Sequence, residues 1–189
     1  CIRESVYIAV DTKRIVITGG PGSGKTTLIN HIESLGYTCM HEVSRQIINE
    51  ARKEGIDQLF LTDPMLFSQK LLESRVHQFE QASQLETSYI FYDRGTPDIT
   101  AYMDFIGASY PTSFEAPCFT HTYDTIFLLP PWEAIYTKDS ERYETFEQAK
   151  IIHQSLVKGY NKYGYKVIEV PQASVENRNS FIFNYLKEN

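Results

Sequence analysis

The chain has 189 residues, 42% of them apolar and 13% aromatic, which is enough for one domain with a developed core and excludes a disordered protein. Its formal net charge of −6 disfavours a general nucleic-acid binder. Three cysteines without metal-ligand spacing indicate a reducing compartment, so we expect a cytoplasmic protein, and no apolar run reaches the length of a membrane span.

The first elements of the chain are predicted to be a strand, a glycine-rich loop and a helix. Residues 1–12 are interpreted as an N-terminal extension or a cloning remnant. Arg14–Thr18 (RIVIT) is a β-branched, apolar run that predicts a strand, and Thr26–Leu35 predicts a helix that ends before Gly36. Between them, Gly19–Thr26 (GGPGSGKT) matches the pattern of a phosphate-binding loop, the P-loop.

The residue types of this loop fit its chemistry. Backbone N–H groups of the loop and the positive end of the following helix hold phosphate oxygens, and glycines allow the close approach. Lys25 reaches the β- and γ-phosphates, and the Thr26 hydroxyl holds Mg²⁺. The predicted nucleotide-binding residues are Gly20, Pro21, Gly22, Ser23, Gly24, Lys25, Thr26 and Thr27.

The rest of the chain alternates between predicted strands and helices. The predicted strands are Tyr37–His41, Tyr89–Tyr92, Asp124–Leu129 and Lys166–Val170. The predicted helices are Ser44–Lys53, Pro64–Glu86, one from Pro97 with Thr96 as its cap, one from a capping box at Thr145–Gln148 towards Tyr163, and Ser174–Lys187. This order predicts an α/β P-loop NTPase fold of three layers with a five-stranded parallel sheet, as one domain over residues 13–189. Ligands of such sheets bind beyond the carboxyl ends of the strands.

Two acidic residues follow predicted strands at this edge. Asp93 is expected to hold Mg²⁺ or to accept a proton, and Arg94 to bind a phosphate. The alternative is that Asp93 stabilises the next helix and pairs with Arg94. Glu42 is expected to act as a general base or to contact a substrate hydroxyl, with a surface pair to Arg45 as the alternative.

A polar stretch broken by prolines follows the fourth predicted strand. Residues 130–145 are predicted to form a lid, in which Arg142 supplies charge to the transition state, and a surface ion-pair cluster is the equal alternative. Trp132 is interpreted as a packing residue rather than a surface on which a base stacks. Arg75 is interpreted as facing solvent, with the substrate cleft as the alternative. Residues 170–173 follow the last strand, where they would line a nucleobase.

Several segments together carry a family resemblance: RIVITGGPGSGKTTLI, HEVSRQII, FYDRGTPD, FLLPPWEAIYTKDSERYE and KVIEVP. On these segments the chain resembles the NadR/TTD-type AAA-domain family of P-loop proteins, which is closer to small-molecule kinases than to AAA⁺ motors. The resemblance implies a nucleoside- or nucleotide-kinase-like fold. It also implies that Glu42 acts on a substrate hydroxyl, that Asp93 and Arg94 form the acidic–arginine pair after the third strand, and that Arg142 is the lid arginine.

Two functional hypotheses follow. The first is a Mg²⁺-dependent phosphotransferase that moves the γ-phosphoryl group of ATP to a small, nucleoside-like acceptor, with Lys25, Glu42, Asp93, Arg94 and Arg142 as catalytic residues. The second is a regulatory ATP or GTP binder that hydrolyses slowly and signals to a protein or lipid partner. The chain has no Asn-Lys-x-Asp guanine signature, which favours ATP over GTP as the donor.

Overall fold

The computed structural model describes residues 11–136 and 144–189. Its centre is a five-stranded sheet of β1 (Lys13–Gly19), β2 (Thr38–Met40), β3 (Tyr89–Asp93), β4 (Thr125–Leu129) and β5 (Val167–Glu169). Neighbouring strands pair in parallel in the order β2-β3-β1-β4-β5. The predicted parallel α/β fold is therefore confirmed.

Eight α-helices lie in the part of the chain that the structure describes. They are α1 (Lys25–Ser34), α2 (Ser44–Lys53), α3 (Leu59–Thr62), α4 (Pro64–Ala82), α5 (Pro97–Phe105), α6 (Ala116–Thr120), α7 (Phe146–Lys162) and α8 (Val175–Glu188). The capping box of α7 is present as predicted. The long helix α4 ends at Ala82, four residues earlier than predicted, and Thr96 precedes α5 without a side-chain capping bond. The described helices include none that is long and apolar enough to cross a membrane.

Alternate residues of the strands point to opposite faces of the sheet and build two apolar layers. Val16 of β1 packs in a cluster with residues of α5 and α7, whereas its neighbours Ile15 and Ile17 pack with residues of α1 and α8. All three side chains are fully buried. A third cluster joins α2, α3 and α4 beside the sheet. The sheet thus lies between two helical layers, as the fold prediction requires.

The register of the sheet brings the predicted functional segments to one edge. Ile17 of β1 pairs with Asp93 of β3, and Gly19 pairs with Leu129 of β4. Since all strands are parallel, Asp93 at the carboxyl end of β3 lies at the same edge as the three segments that follow β1, β2 and β4, namely the P-loop, the Glu42 loop and the segment after Leu129.

Candidate active site

The P-loop connects the end of β1 to the first turn of α1. Gly22 and Gly24 have φ values of 71° and 78°, a region that side chains other than glycine rarely adopt. A Cβ on Gly19 would lie 2.7 Å from the Ser23 hydroxyl and 2.9 Å from the Leu129 carbonyl oxygen. The glycines therefore allow both the turn and its contact with β4. Within this turn the buried hydroxyl of Ser23 has no hydrogen-bond partner.

Lys25, the P-loop lysine, forms a buried ion pair with Asp93. The two side chains are 9% and 5% exposed, and the ammonium donates a hydrogen bond to the Asp93 carboxylate. Burial, with the nearby charge of Arg94, lowers the pKa of Lys25 against the opposing effect of Asp93 and Glu42. Asp93 thus forms its ion pair with Lys25, whereas the ion pairs of Arg94 are with Glu42 and Asp98. Thr26, one residue further along α1, has an exposed side chain.

Glu42 is held from several directions. Its Oε2 lies 2.6 Å from Nε of Arg94, and its Oε1 lies 3.2 Å from Nη2 of Arg75. Oε1 also accepts hydrogen bonds from the backbone N–H groups of Val43 and Ser44 at the start of α2. Burial raises the pKa of Glu42, but the surrounding cations outweigh it and hold the pKa at about 2. Glu42 is therefore an ionised, largely buried carboxylate rather than a surface one.

Arg75 is buried rather than exposed to solvent. We expected this side chain to face solvent, but Arg75 is only 4% exposed. Its guanidinium donates hydrogen bonds to the Glu42 carboxylate and to the backbone carbonyl oxygen of Gly95. Arginine is rarely buried to this extent without a partner, and Glu42 is the partner here. Because Glu42 follows β2 in a separate loop, this pair could not be read from the local sequence around Arg75.

Asp98 is a residue of the site that sequence reasoning missed. Its carboxylate accepts bonds from the Thr18 hydroxyl at 2.5 Å, Nη1 of Arg94 at 3.3 Å and the Gly95 backbone N–H at 2.9 Å. It also accepts a bond from the Tyr160 hydroxyl, whose pKa is raised by burial and by this carboxylate. Asp98 therefore joins β1, the turn after β3 and helix α7. The signal was its place in the FYDRGTPD segment.

Arg94 adopts a φ of 73°, which is unusual for a residue with a side chain. The conformation is stabilised by a backbone bond from Arg94 to Ile17 and by the ion pairs with Glu42 and Asp98. These two carboxylates raise the pKa of Arg94 against the effect of burial. The guanidinium is thus fixed in direction beside the P-loop.

A cavity of about 570 Å³ opens between the P-loop and helices α2, α4 and α5. Glu42, Arg75 and Arg94 line it together with Gly20 and Pro21 of the P-loop. The rest of its wall is mixed: α4 contributes mainly apolar side chains, and α2 contributes mainly polar and charged ones, among them Arg45, Asn49 and Arg52. The volume lies in the range of about 300–1,000 Å³ typical of small-molecule sites. The structure thus brings Glu42 and Arg94 together with the P-loop around one cavity.

The predicted lid is described only at its ends, and Arg142 lies outside the described residues. After β4 the chain passes the P-loop, where the ring of Tyr136 lies directly against Gly22. Trp132 is half-buried and lines a second cavity beside the P-loop. Of residues 170–173, Val170 is buried in the core, and Ala173 lines that second cavity.

Comparison with protein families places this arrangement in a known group. A family model described as an AAA domain matches residues 14–178. The chain belongs to this AAA-domain family, which confirms the resemblance found in the sequence. No curated protein matches the chain.

Solved structures agree on the fold. The chain is similar to deoxyadenosine kinase from M. mycoides, solved with dCMP and a flexible dCDP, at a TM-score of 0.66 and 18% identity over 93% of this chain and 100% of that one. It is also similar to the NadR protein in complex with NR (TM-score 0.68, 18% identity, 94% of this chain and 51% of that one). A complex of NadR with NAD and AMP-PNP gives a TM-score of 0.64 at 17% identity over 94% of this chain and 49% of that one. The chain therefore spans about half the length of these NadR structures, and its fold is that of P-loop nucleoside kinases.

Proposed function

We propose that the chain is a Mg²⁺-dependent P-loop phosphotransferase that moves the γ-phosphoryl group of a nucleoside triphosphate to a nucleoside-like acceptor. The observation that carries the proposal is the shared wall of the larger cavity. Glu42 and Arg94 line the same space as Gly20 and Pro21 of the P-loop. An acceptor bound there would present its hydroxyl group both to a carboxylate and to the phosphate-binding loop.

The donor would be held by the P-loop amides and by Lys25. On binding, the ammonium of Lys25 would leave its ion pair with Asp93 and contact phosphate oxygens instead. This exchange leaves Asp93 available to a metal ion. Thr26 and Asp93 offer the oxygen atoms that Mg²⁺ prefers. Among the described residues, no group of three or more His, Cys, Asp or Glu could hold a metal ion. When bound, Mg²⁺ neutralises charge on the β- and γ-phosphates.

In the transfer, the acceptor oxygen forms a bond to the γ-phosphorus while the bond from phosphorus to the β,γ-bridging oxygen breaks and the nucleoside diphosphate leaves. The proton of the acceptor hydroxyl passes to a carboxylate. Glu42 is preferred for this role over Asp93, because Glu42 lines the acceptor cavity and Asp93 pairs with Lys25. A carboxylate with a pKa of about 2 is a weak base, so its main contribution would be orientation of the hydroxyl.

Arginine side chains would stabilise charge on the transferring group. Arg94 is fixed beside the P-loop by Glu42 and Asp98, so it can contact phosphate oxygens without losing much conformational freedom. Arg142 would approach from the lid. Arg75, buried behind Glu42, would keep this carboxylate ionised and in position.

The ligands of similar structures support this assignment of the two substrates. The deoxyadenosine kinase was solved with dCMP, and the NadR protein with NR in one structure and with AMP-PNP in another. An analogue of ATP and small nucleoside-like molecules therefore bind proteins of this fold. ATP is accordingly our first choice of donor, with GTP as the alternative.

The test is turnover of Mg²⁺-ATP and Mg²⁺-GTP with a panel of nucleosides, nucleotides and nicotinamide riboside, with products identified by mass spectrometry. We expect one acceptor class to become phosphorylated, Lys25→Met to abolish the product, and Glu42→Gln to lower turnover while nucleotide still binds. Slow hydrolysis at one constant rate, whichever acceptor is present, would contradict the proposal.

A regulatory nucleotide switch is the second candidate. The observation in its favour is the state of Glu42, both of whose carboxylate oxygens are already engaged by arginines. Such a group could serve only to fix the loop after β2. If the chain is a switch, Glu42→Gln keeps the slow hydrolysis rate, and alteration of residues 130–145 removes nucleotide-dependent binding of a protein or lipid partner.

A further inference from the structure

The larger cavity, assigned above to the acceptor, has two chemically different ends. At one end, Glu42, Arg75 and Arg94 form the charged network beside the P-loop. The wall then continues away from this network along α4. Phe67, which also lines the cavity, precedes Arg75 by eight residues, and this spacing corresponds to about 12 Å along the helix. The second end of the cavity is therefore distant from the carboxylate that would contact the acceptor hydroxyl.

Helix α2 extends from the first end of the cavity to the second. Its first residue, Ser44, donates a backbone hydrogen bond to Glu42, and α3 begins six residues after its last one. Phe60 of α3 packs with Phe67, with the ring centres 6.1 Å apart, and both side chains line the cavity. The last turn of α2, which carries Arg52, therefore lies at the aromatic end of the cavity.

The polar residues of α2 are divided by charge between two sides of the helix. Arg45, Asn49 and Arg52 recur at intervals of four and three residues, so they share one side, and all three line the cavity. The single carboxylate of α2, every residue of which the structure describes, is Glu50, which lies outside the cavity wall and accepts a hydrogen bond from Gln46. Solvated helix faces typically mix both signs of charge, whereas the cavity side of α2 carries positive charge alone.

The positive charge on this side is accessible to a ligand. Arg52 is about half exposed, and its ion pair with Asp57 spans 3.7 Å to a carboxylate that is 91% exposed. Exposed pairs of this kind contribute little to stability, so a ligand anion can replace Asp57. Arg75 and Arg94 are instead already held by the carboxylates beside the P-loop. Glu144 lines the cavity from the segment before α7, which disfavours an anion there and leaves the α2 side.

We infer that the acceptor carries an anionic group, a carboxylate or a phosphate, at the end remote from its reacting hydroxyl, and that Arg45 and Arg52 bind this group. Guanidinium groups bind carboxylates and phosphates through two parallel N–H bonds, and Asn49 would add an amide donor. The rings of Phe60 and Phe67 would hold the apolar part of the acceptor. The inference rests on the proposed function, because it concerns the acceptor cavity of the same site.

Matched acceptors that differ in one charged group test the inference by calorimetry, in the presence of Mg²⁺-AMP-PNP so that no transfer occurs. Nicotinic acid riboside against nicotinamide riboside tests a carboxylate, and uridine 5′-monophosphate against uridine tests a phosphate. In at least one pair, we expect the anionic member to bind about tenfold tighter or more, as for charge-assisted hydrogen bonds. Added salt should reduce this preference, since the arginines are partly exposed.

Variants then test the two arginines. Arg45→Gln and Arg52→Gln should each reduce the preference, and the double variant should bind both members of the pair within about twofold of each other. In turnover with ATP, the double variant should raise KM for the anionic acceptor by about tenfold or more and change kcat by less than about twofold. Binding of the neutral member and of AMP-PNP should be unchanged. Lys53→Gln removes an exposed cation of α2 that lies outside the cavity wall, and it is the matched control.

The outcomes separate this inference from the proposed function. No preference in either pair, or a preference that survives in the double variant, would overturn the inference, and phosphorylation of a neutral acceptor with the same KM in the double variant would do so while the proposed function stands. Anionic acceptors that bind through Arg45 and Arg52 without phosphorylation would support the binding site and contradict the proposed transfer. If no member of either pair binds and no acceptor is phosphorylated, both fail.

Discussion

Replacement of Glu42 by glutamine is expected to destabilise the protein at neutral pH by about 3 kcal/mol. The surrounding cations hold the pKa of Glu42 at about 2 in the folded protein, against an ordinary value of 4.5. At about 1.4 kcal/mol for each pKa unit, this difference corresponds to about 3 kcal/mol of stability. Because the folded-state pKa is the lower one, this stability is fully present above pH 4.5 and is lost as the pH falls towards 2. Glutamine would also leave Arg75 and Arg94 without this counter-ion.

The assay is urea unfolding of the original protein and of Glu42→Gln at several pH values between 7 and 2.5. The difference in unfolding free energy should be largest at pH 7 and should shrink below pH 4.5, since the original protein alone loses the ionised carboxylate. Glu86→Gln, at an exposed position before β3, is the control and should change the stability little at any pH. A loss for Glu42→Gln that stays constant across this range, or no loss at pH 7, would refute the electrostatic reasoning.

Three further substitutions test other parts of the site and fold. Asp98→Asn should lower the free energy of unfolding in urea by about 2–4 kcal/mol, because the hydrogen-bond donors around Asp98, among them the Tyr160 hydroxyl, lose a buried anionic acceptor. A loss below about 1 kcal/mol would contradict this role. Gly22→Ala should strain the P-loop by about 1–2 kcal/mol and displace Tyr136, so calorimetry should show weaker nucleotide binding, and unchanged affinity would contradict the loop geometry. Thr145→Ala should lower the unfolding free energy by about 1 kcal/mol through loss of the capping box, and equal stability would show that the cap contributes nothing.

Much of the fold was predictable because local chemistry and the global arrangement agree. The run Arg14–Thr18 is both β-branched and apolar, and it became the central strand, buried on both faces. The turn before α1 needs positive φ at two places, and glycine stands at both, Gly22 and Gly24. Helix α2 has the predicted bounds. Each of these features depends on residues within one element or its immediate neighbours.

The partners of the charged residues were not predictable in the same way, because they come from distant parts of the chain. Arg75 follows Leu71 and Leu72 by four and three positions on α4, so the helical period places it on the buried face with them. That spacing was a usable signal, but it did not reveal that Glu42 is the partner. Likewise, Arg178 precedes the buried Ile182 by one turn of α8. A charged residue in phase with an apolar stripe is therefore a candidate site residue when the stripe faces the ligand edge of a sheet.

The ion pair of Lys25 and Asp93 connects the described state to the proposed reaction. Both side chains are nearly buried; burial and the charge of Arg94 lower the pKa of Lys25, and the carboxylates of Asp93 and Glu42 oppose this shift. A triphosphate brings several negative charges to the same ammonium and so supplies the counter-charge that Asp93 gives up. Asp93 released without a metal ion would be a buried anion without a partner, which is unfavourable. The donor phosphates would replace Asp93 as the partner of Lys25, and Mg²⁺ would replace Lys25 as the partner of Asp93. Either ligand alone would leave one of the two buried charges without a partner, so donor and Mg²⁺ should bind with positive coupling.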